Sequence, residues 1–185
     1  YPKLINSLPK NPQNNNTPRK IESIKKKESK SREKIQFIRK GNQRIAFKIN
    51  KKNKDIKIFL CDPKGSALYN YIKNGELKSE GGSITEGIGS SRVTKNFENA
   101  KIDDAYSIDD HEALPILYDL IENEGLSLGT SCGINIAGAI RLGKELGPGK
   151  TIVTILCDKS DKYATKMFNK SFLEEKGLPF PNWID

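Results

Sequence analysis

Between residues 54 and 156 the apolar positions recur with two periods, one suited to strands and one to helices. Ile56 to Cys61 (IKIFLC) is a short β-prone run, bounded by charge on one side and by Asp62, Pro63 and Gly65 on the other, as in a strand buried in a parallel sheet. Ala67, Leu68, Tyr71 and Ile72 then recur at three to four residues and predict a short helix that Asn74-Gly75 stops. Ile102 to Ile108 predicts a second strand. Behind it, Asp109, Asp110 and Glu112 form an acidic helix start that complements the positive end of the dipole, and Leu114, Leu117, Tyr118 and Ile121 carry that helix to Glu124. A further helix over Gly133 to Leu146 offers Gly133, Ala137 and Ala139 as a small face for packing onto a sheet. Thr151 to Leu156 predicts the third and clearest strand. Strands alternating with helices at this spacing predict an α/β fold, a partial parallel sheet with flanking helices. Three strands are few for a sheet covered on both faces, so the pattern describes a small domain or a piece of one.

Two stretches stand outside these periods. Gly81 to Ser91 (GGSITEGIGSS) packs four glycines and three serines into eleven residues and reads as a loop. Its Gly87-Ile88-Gly89 lacks the third glycine of a dinucleotide fingerprint, because Arg92 stands there and no β-branched strand leads in. The two glycines serve a tight turn or a close approach of backbone to a flat ligand. The second stretch is GTSCGIN, Gly129 to Asn135, a serine in a glycine-flanked turn that opens a helix. Such a turn presents polar groups to a ligand in α/β proteins, and it equally suits an N-cap serine with two turn glycines. Asp158 follows the last strand at the edge where open parallel sheets bind ligands.

Charge separates the chain into two parts. Of the 32 Lys and Arg, 18 fall within residues 1–60 against 4 Asp and Glu, so the formal net charge of +9 belongs to the first third. Residues 1–45 are a basic low-complexity segment, with Asn14, Asn15 and Asn16 consecutive and Ile21, Ile24, Ile35, Phe37 and Ile38 too sparse for a core. That segment is expected to be disordered or loosely helical. It could engage phosphates, but Phe37 and Phe47 alone are available for base stacking, and nucleic acid is not the expected partner. Cys61, Cys132 and Cys157 are odd in number and, beside apolar runs, read as small buried hydrophobes with no disulfide framework, and they are too widely spaced for a zinc site. His111, the single histidine, is expected to face solvent. With no membrane-length apolar run and no signal-peptide core at the start, the expected location is the cytoplasm.

Read in series, the segments from KNKDIKIFLCDPKGSALYNYIKNGELK through EGIGSSRV, IDDAYSIDDHEAL and EGLSLGTSCGINIAGAIRLGKELGPGKTIVTILCDKSDKYATKMFN to FLEEKGLPFPNW resemble the C-terminal part of cysteine synthases, in the fold type II group of pyridoxal-phosphate enzymes. The resemblance covers about residues 50–185, placing a boundary near residue 46. The ending Leu178-Pro179-x-Pro181-x-Trp183 favours the cysteine synthase branch. It implies that residues 46–185 form a piece of the large domain of that fold. It also implies that the Ser131 hydroxyl bonds the pyridine nitrogen of pyridoxal phosphate, that Gly87, Ile88 and Gly89 form the loop beside the cofactor, and that Thr130, Cys132 and Gly133 form the shell around the serine. Cys132 is expected to pack and not to act as a nucleophile, and Asp158 and Tyr163 to have structural roles.

The departures from the family pattern are equally specific. The family reaction, replacement of the acetoxy group of O-acetylserine by sulfide, starts from a Schiff-base lysine in a Ser/Thr-x-Lys-Asp/Asn-Arg context, and no lysine here has that context. The Asn-containing loop that grips the substrate carboxylate is missing as well. Where the glycine and threonine loop that cradles the phosphate should stand, Ile35 to Ile45 contains Gly41 as its only glycine. The resemblance therefore implies a truncated enzyme, inactive as an isolated chain. Two alternatives stand beside it: half of a split enzyme completed by an N-terminal half, or a non-catalytic binding protein using its basic arm on nucleic acid. The parent family also implies a homodimer mate and the tail of serine acetyltransferase as partners, neither of which carries over directly. A sheet lacking its other strands is expected to leave Ile56, Ile58, Leu60, Val153 and Ile155 partly uncovered and the chain marginally stable.

Overall fold

The computed structural model describes residues 34–38, 49 and 51–185, the first of these as backbone. Among the described residues four parallel strands form one sheet: β1 (Lys34–Ile38), β2 (Lys57–Pro63), β3 (Asp104–Ile108) and β4 (Thr151–Val153), in the order β3-β2-β1-β4. Phe37 pairs with Phe59, Leu60 with Ala105, and Ile35 with Ile152. Helices α1 (Leu68–Asn74), α2 (Lys95–Glu98), α3 (Asp110–Glu124) and α4 (Thr130–Leu146) link the strands, and a 3₁₀ turn (Ser160–Tyr163), α5 (Ala164–Met167) and α6 (Lys170–Glu175) close the chain. No described helix is long and apolar enough to cross a membrane.

The expected strands and helices are present with three corrections. Lys34–Ile38 lies inside the segment expected to be disordered, yet it is a strand hydrogen-bonded on both sides, to β2 and to β4. A central parallel strand is stabilised by neighbours distant in sequence, so a lysine-dense composition conceals it. The rest of the basic segment lies outside the described residues. The third predicted strand is shorter than Thr151 to Leu156, because β1 pairs with it only from Thr151 to Val153. Beyond that ladder Leu156 is half exposed, as is Val153 at its end. Ile58 and Leu60, expected to stay partly uncovered, are buried at 0% and 3% exposure.

The reason is the pleat. Alternate residues of β2 face opposite sides, so Ile58 packs with Ile49, Ile56 and Ala100 and Leu60 with Leu68, Phe97 and Ala105 on one face. On the other face Cys61 joins Ile108, Ala113, Ile134, Ala137 and Leu142, with Phe59 stacked on Tyr106 at 6.1 Å. Helices α3 and α4 cover this second face. Their outer side forms a further cluster in which Leu114, Leu117, Tyr118 and Cys132 meet Tyr163, Met167, Leu173 and Ile184. The C-terminal tail is tied to α3 by Tyr118, which donates to the Met167 carbonyl at 2.7 Å and meets Trp183 edge-on at 5.9 Å.

Gly133 is needed where the two helices touch, so its small face serves α3 and not the sheet. A Cβ there would stand 2.9 Å from the Ala113 carbonyl oxygen and 3.0 Å from the Leu117 side chain. Gly143, in the same helix, differs: a Cβ would meet only Ile152 Cδ1, at an ordinary 3.5 Å. The expected outcome is a pair of opposite signs in urea unfolding. Gly133→Ala loses about 1–3 kcal/mol to overpacking against backbone, and Gly143→Ala gains about 0.5–1 kcal/mol of helix propensity. Equal effects would show that the α3–α4 contact is not close-packed.

Candidate functional site

All four strands are parallel, so each ends at the same edge of the sheet, and the helices that return antiparallel start there. That edge collects the turn after β2 (Pro63 to Ser66), the start of α3 (Asp109, Asp110), the start of α4 (Gly129 to Ser131) and the segment after β4 (Cys157 to Ser160). The strand order departs from sequence order between β1 and β4, which is where open α/β sheets leave a crevice.

The start of α4 is locked to the segment after β4. Gly129 donates its N–H to the Asp158 carbonyl at 2.9 Å, and the Cys157 N–H reaches the Cys132 sulfur at 3.1 Å. Tyr163 donates its hydroxyl to Asp158 at 2.7 Å, and the Tyr163 ring lies where a side chain at residue 129 would project, 2.6 Å from an ideal Cβ. Gly129 is therefore dictated by the Asp158–Tyr163 pair. Cys132 is wholly buried, and burial pushes its thiol up, so the sulfur joins helix to strand end and is not poised as a thiolate.

Ser131 is the second residue of α4, and the N-cap is Gly129, so the N-cap alternative for this serine does not hold. Its side chain is 0% exposed, and its Oγ has no hydrogen-bond partner among the described residues; the same is true of Thr130 Oγ1 beside it. A buried hydroxyl without a partner costs about 1–3 kcal/mol, so two adjacent ones at a helix start are an uncommon arrangement for a folded interior. Asn135, one turn further, donates to the Ile155 carbonyl at 3.1 Å while its own oxygen is unpartnered, and the Thr154 hydroxyl is buried without a partner too. Sequence reading passed over these last two. Asn135 shares a helix face with Ser131, four residues apart, and that spacing was the available signal.

Gly87 and Gly89 both take left-handed backbone, at φ of 72° and 80°. At Gly89 a Cβ would stand 3.0 Å from both Pro63 and Ser66, so the close approach is to the turn after β2. Ile88 packs onto the cluster that holds Ala113 and Ile134. The loop roofs a cleft of about 330 Å³ whose walls include Pro63, Ser66, Thr85, Ile88, Gly89 and Ser90. The expected site residues thus fall into three places. Ile88 and Gly89 line the cleft, Thr130, Ser131 and Cys132 form the buried start of α4, and Gly133 sits in the helix interface.

Electrostatics at this edge come from carboxylates. Asp62 is 1% exposed and accepts from the Tyr69 N–H at 2.8 Å; burial pushes its carboxyl up to about 6. Asp109 is partly buried, but hydrogen bonds from Lys64 and from His111 hold its carboxyl well below the usual range. His111 is exposed, as expected, and bridges Asp109 to the Gly177 carbonyl at 3.0 Å. Among the described residues no group of three or more His, Cys, Asp or Glu could hold a metal ion.

With this geometry in place, comparison with known proteins gives a consistent answer. Residues 45–158 match the family model described as pyridoxal-phosphate dependent enzyme. Cysteine synthase 1 of Emericella nidulans is 42% identical over 127 residues, which is 66% of this chain and 34% of that protein. Cysteine synthase 2 of Schizosaccharomyces pombe is 36% identical over 147 residues, 72% of this chain and 37% of that protein. The chain therefore spans about a third of the length of these curated relatives. The crystal structure of the O-acetylserine dependent cystathionine beta-synthase from Helicobacter pylori superposes with a TM-score of 0.62 at 26% identity, covering 72% of this chain and 42% of that one.

Two outcomes follow from the buried groups. Ser131→Ala removes a hydroxyl that has no partner, so thermal or urea unfolding of the chain should show no loss and up to about 1 kcal/mol of gain; a clear loss would reveal a partner. Because the folded pKa of Asp62 is raised, the folded state holds the proton more tightly than the unfolded chain. Its stabilising effect is complete below about pH 4 and fades as pH rises through about 6. Between pH 4.5 and 7.5 the wild type should lose on the order of 2 kcal/mol relative to Asp62→Asn, read as the difference of their urea midpoints.

Proposed function

Because the chain belongs to the pyridoxal-phosphate dependent enzymes, we propose that it carries the pyridine-binding wall of a cysteine synthase type site, where sulfide replaces the acetoxy group of O-acetylserine to give cysteine. The observation that carries this reading is the Ser131 hydroxyl, fully buried and without a partner at the start of a 17-residue helix. A pyridine nitrogen is the acceptor such a hydroxyl lacks. When bound, the cofactor supplies an electron sink for bonds at the amino-acid α and β carbons.

The chain's own residues then have separable tasks. Ser131 donates a neutral hydrogen bond and does not hold the ring nitrogen protonated as a carboxylate would, which restrains the sink and favours elimination and replacement at the β carbon. The helix start places Thr130 and Ser131 where water is excluded, so that bond is made in a dry setting. Gly87 and Gly89 turn peptide, not side chain, toward the ligand, and Ile88 holds the loop down. Cys132, with its thiol pushed up by burial, stays protonated and takes no part as a nucleophile.

No lysine of the chain stands in the family's Schiff-base context, so the base and the phosphate anchor come from the part of the fold that the relatives carry outside the matched stretch. Alone, the chain is inactive; an N-terminal half supplied separately would complete it. One hydrogen bond from Ser131 contributes about 1 kcal/mol, far short of the ~8 kcal/mol of micromolar binding.

The test is an absorbance spectrum of the chain with pyridoxal phosphate, followed by borohydride reduction and mass measurement. The chain alone should give no band near the visible edge and only scattered labelling of surface lysines. Adding the N-terminal portion of a cysteine synthase should give a band and one cofactor fixed to a lysine of the added piece, and Ser131→Ala should weaken its retention about fivefold. A single labelled lysine on this chain would overturn the reading.

A further inference from the structure

The loop Gly81 to Ser91 contains no helix or strand, yet it is held at defined points. Three consecutive residues, Ser83, Ile84 and Thr85, converge on one carboxylate. Ser83 donates its hydroxyl to Asp110 Oδ1 at 2.6 Å, Thr85 donates its hydroxyl to the same oxygen at 3.1 Å, and the Ile84 N–H donates to Asp110 Oδ2 at 2.7 Å. Asp110 is 5% exposed. At the far end of the loop Ser66 accepts from the Ser90 N–H at 2.8 Å and donates to the Ser90 carbonyl at 3.1 Å, while the Ala67 N–H donates to that carbonyl at 2.8 Å. Between Thr85 and Ser90 only four residues are left, Glu86 to Gly89.

We propose that Asp110 is the positioning residue for the Gly87–Ile88–Gly89 turn, fixing its entry while Ser66 fixes its exit. This rests on the reading of that turn as the wall beside the bound cofactor. A carboxylate is the group suited to the task, since it offers acceptor sites on two oxygens and no donor that would repel the three groups pointed at it. Capping the helix is not its role: the N-cap is Asp109, whose side chain accepts from the His111 N–H at 2.8 Å. The two adjacent aspartates therefore divide the work, Asp109 holding the helix and Asp110 holding the loop. With its ends pinned over so short a span, the turn keeps the left-handed conformation of both glycines in one register relative to Pro63 and Ser66.

Amide hydrogen exchange of the full chain, without cofactor, separates this role from a general contribution to folding. Asp110→Ala should raise exchange across residues 84–90 by ~10-fold or more, with residues 114–121 of α3 within about twofold of wild type. Asp110→Asn keeps an oxygen for the Ile84 N–H and should return that amide to within about threefold of wild type. Ser66→Ala should loosen Ser90 while leaving Ile84 protected. Unchanged exchange at 84–90 in Asp110→Ala would overturn the proposal, and so would equal opening of the loop and α3, which would make Asp110 a fold stabiliser only. Since no cofactor is present, failure of the cofactor reading leaves this result standing, and failure here leaves the absorbance experiment untouched.

Discussion

The close approach of the α4 start to the segment after β4 is the contact on which the rest of the site depends. Gly129 has no side chain because Asp158 and Tyr163 occupy its space, and its N–H bonds the Asp158 carbonyl. One turn on, Gly133 lets the same helix lie against the Ala113 carbonyl of α3. Two glycines four residues apart thus seat α4 against two neighbours at once. The consequence is that Thr130 and Ser131, between them, are forced into the interior with their hydroxyls unmet. Close packing sets this geometry, and the unmet hydroxyls are a cost the fold carries there.

The loop that roofs the neighbouring cleft is built by a different rule. It has almost no apolar surface to bury except Ile84 and Ile88, so its shape comes from polar anchors at Asp110 and Ser66. An exposed ion pair between Glu86 and Lys166 adds a contact at its tip, and pairs of that kind contribute little in water. The packed helix start on one side and the pinned loop on the other together fix the shape of this edge of the sheet.

The sheet itself is asymmetric in its completeness. Among the described residues β2 is covered on both faces and paired on both sides, while β4 is paired on one side, over three residues. Past Val153 the chain runs on with the Thr154 hydroxyl buried and, among the described residues, unpartnered, and with Leu156 half exposed. These features concentrate near the helix that carries Ser131 and Asn135, whose amide reaches the Ile155 carbonyl. A chain matching a third of its relatives' length keeps its finished packing around β2, α3 and α4.

Local pattern was enough to read β2, β3, α1 and α3, because each is announced within a dozen residues by its period and its stop signals: Asn74-Gly75, Asp109 and Gly125. The motif order was enough to reach the family. Strand β1 was not legible, since its stability lies in ladders to residues 57–60 and 151–153 and not in its own lysine-rich neighbourhood. The length of β4 was misread for the same reason: β-branched residues favour a strand, but a partner decides where it ends. Asp110 looked like one more acid at a helix start, and Ser83 and Thr85 like loop polarity. Only folding across 25 to 27 residues of chain brings those hydroxyls onto one buried carboxylate, and only burial turns Ser131 from a polar residue in a turn into a donor without an acceptor.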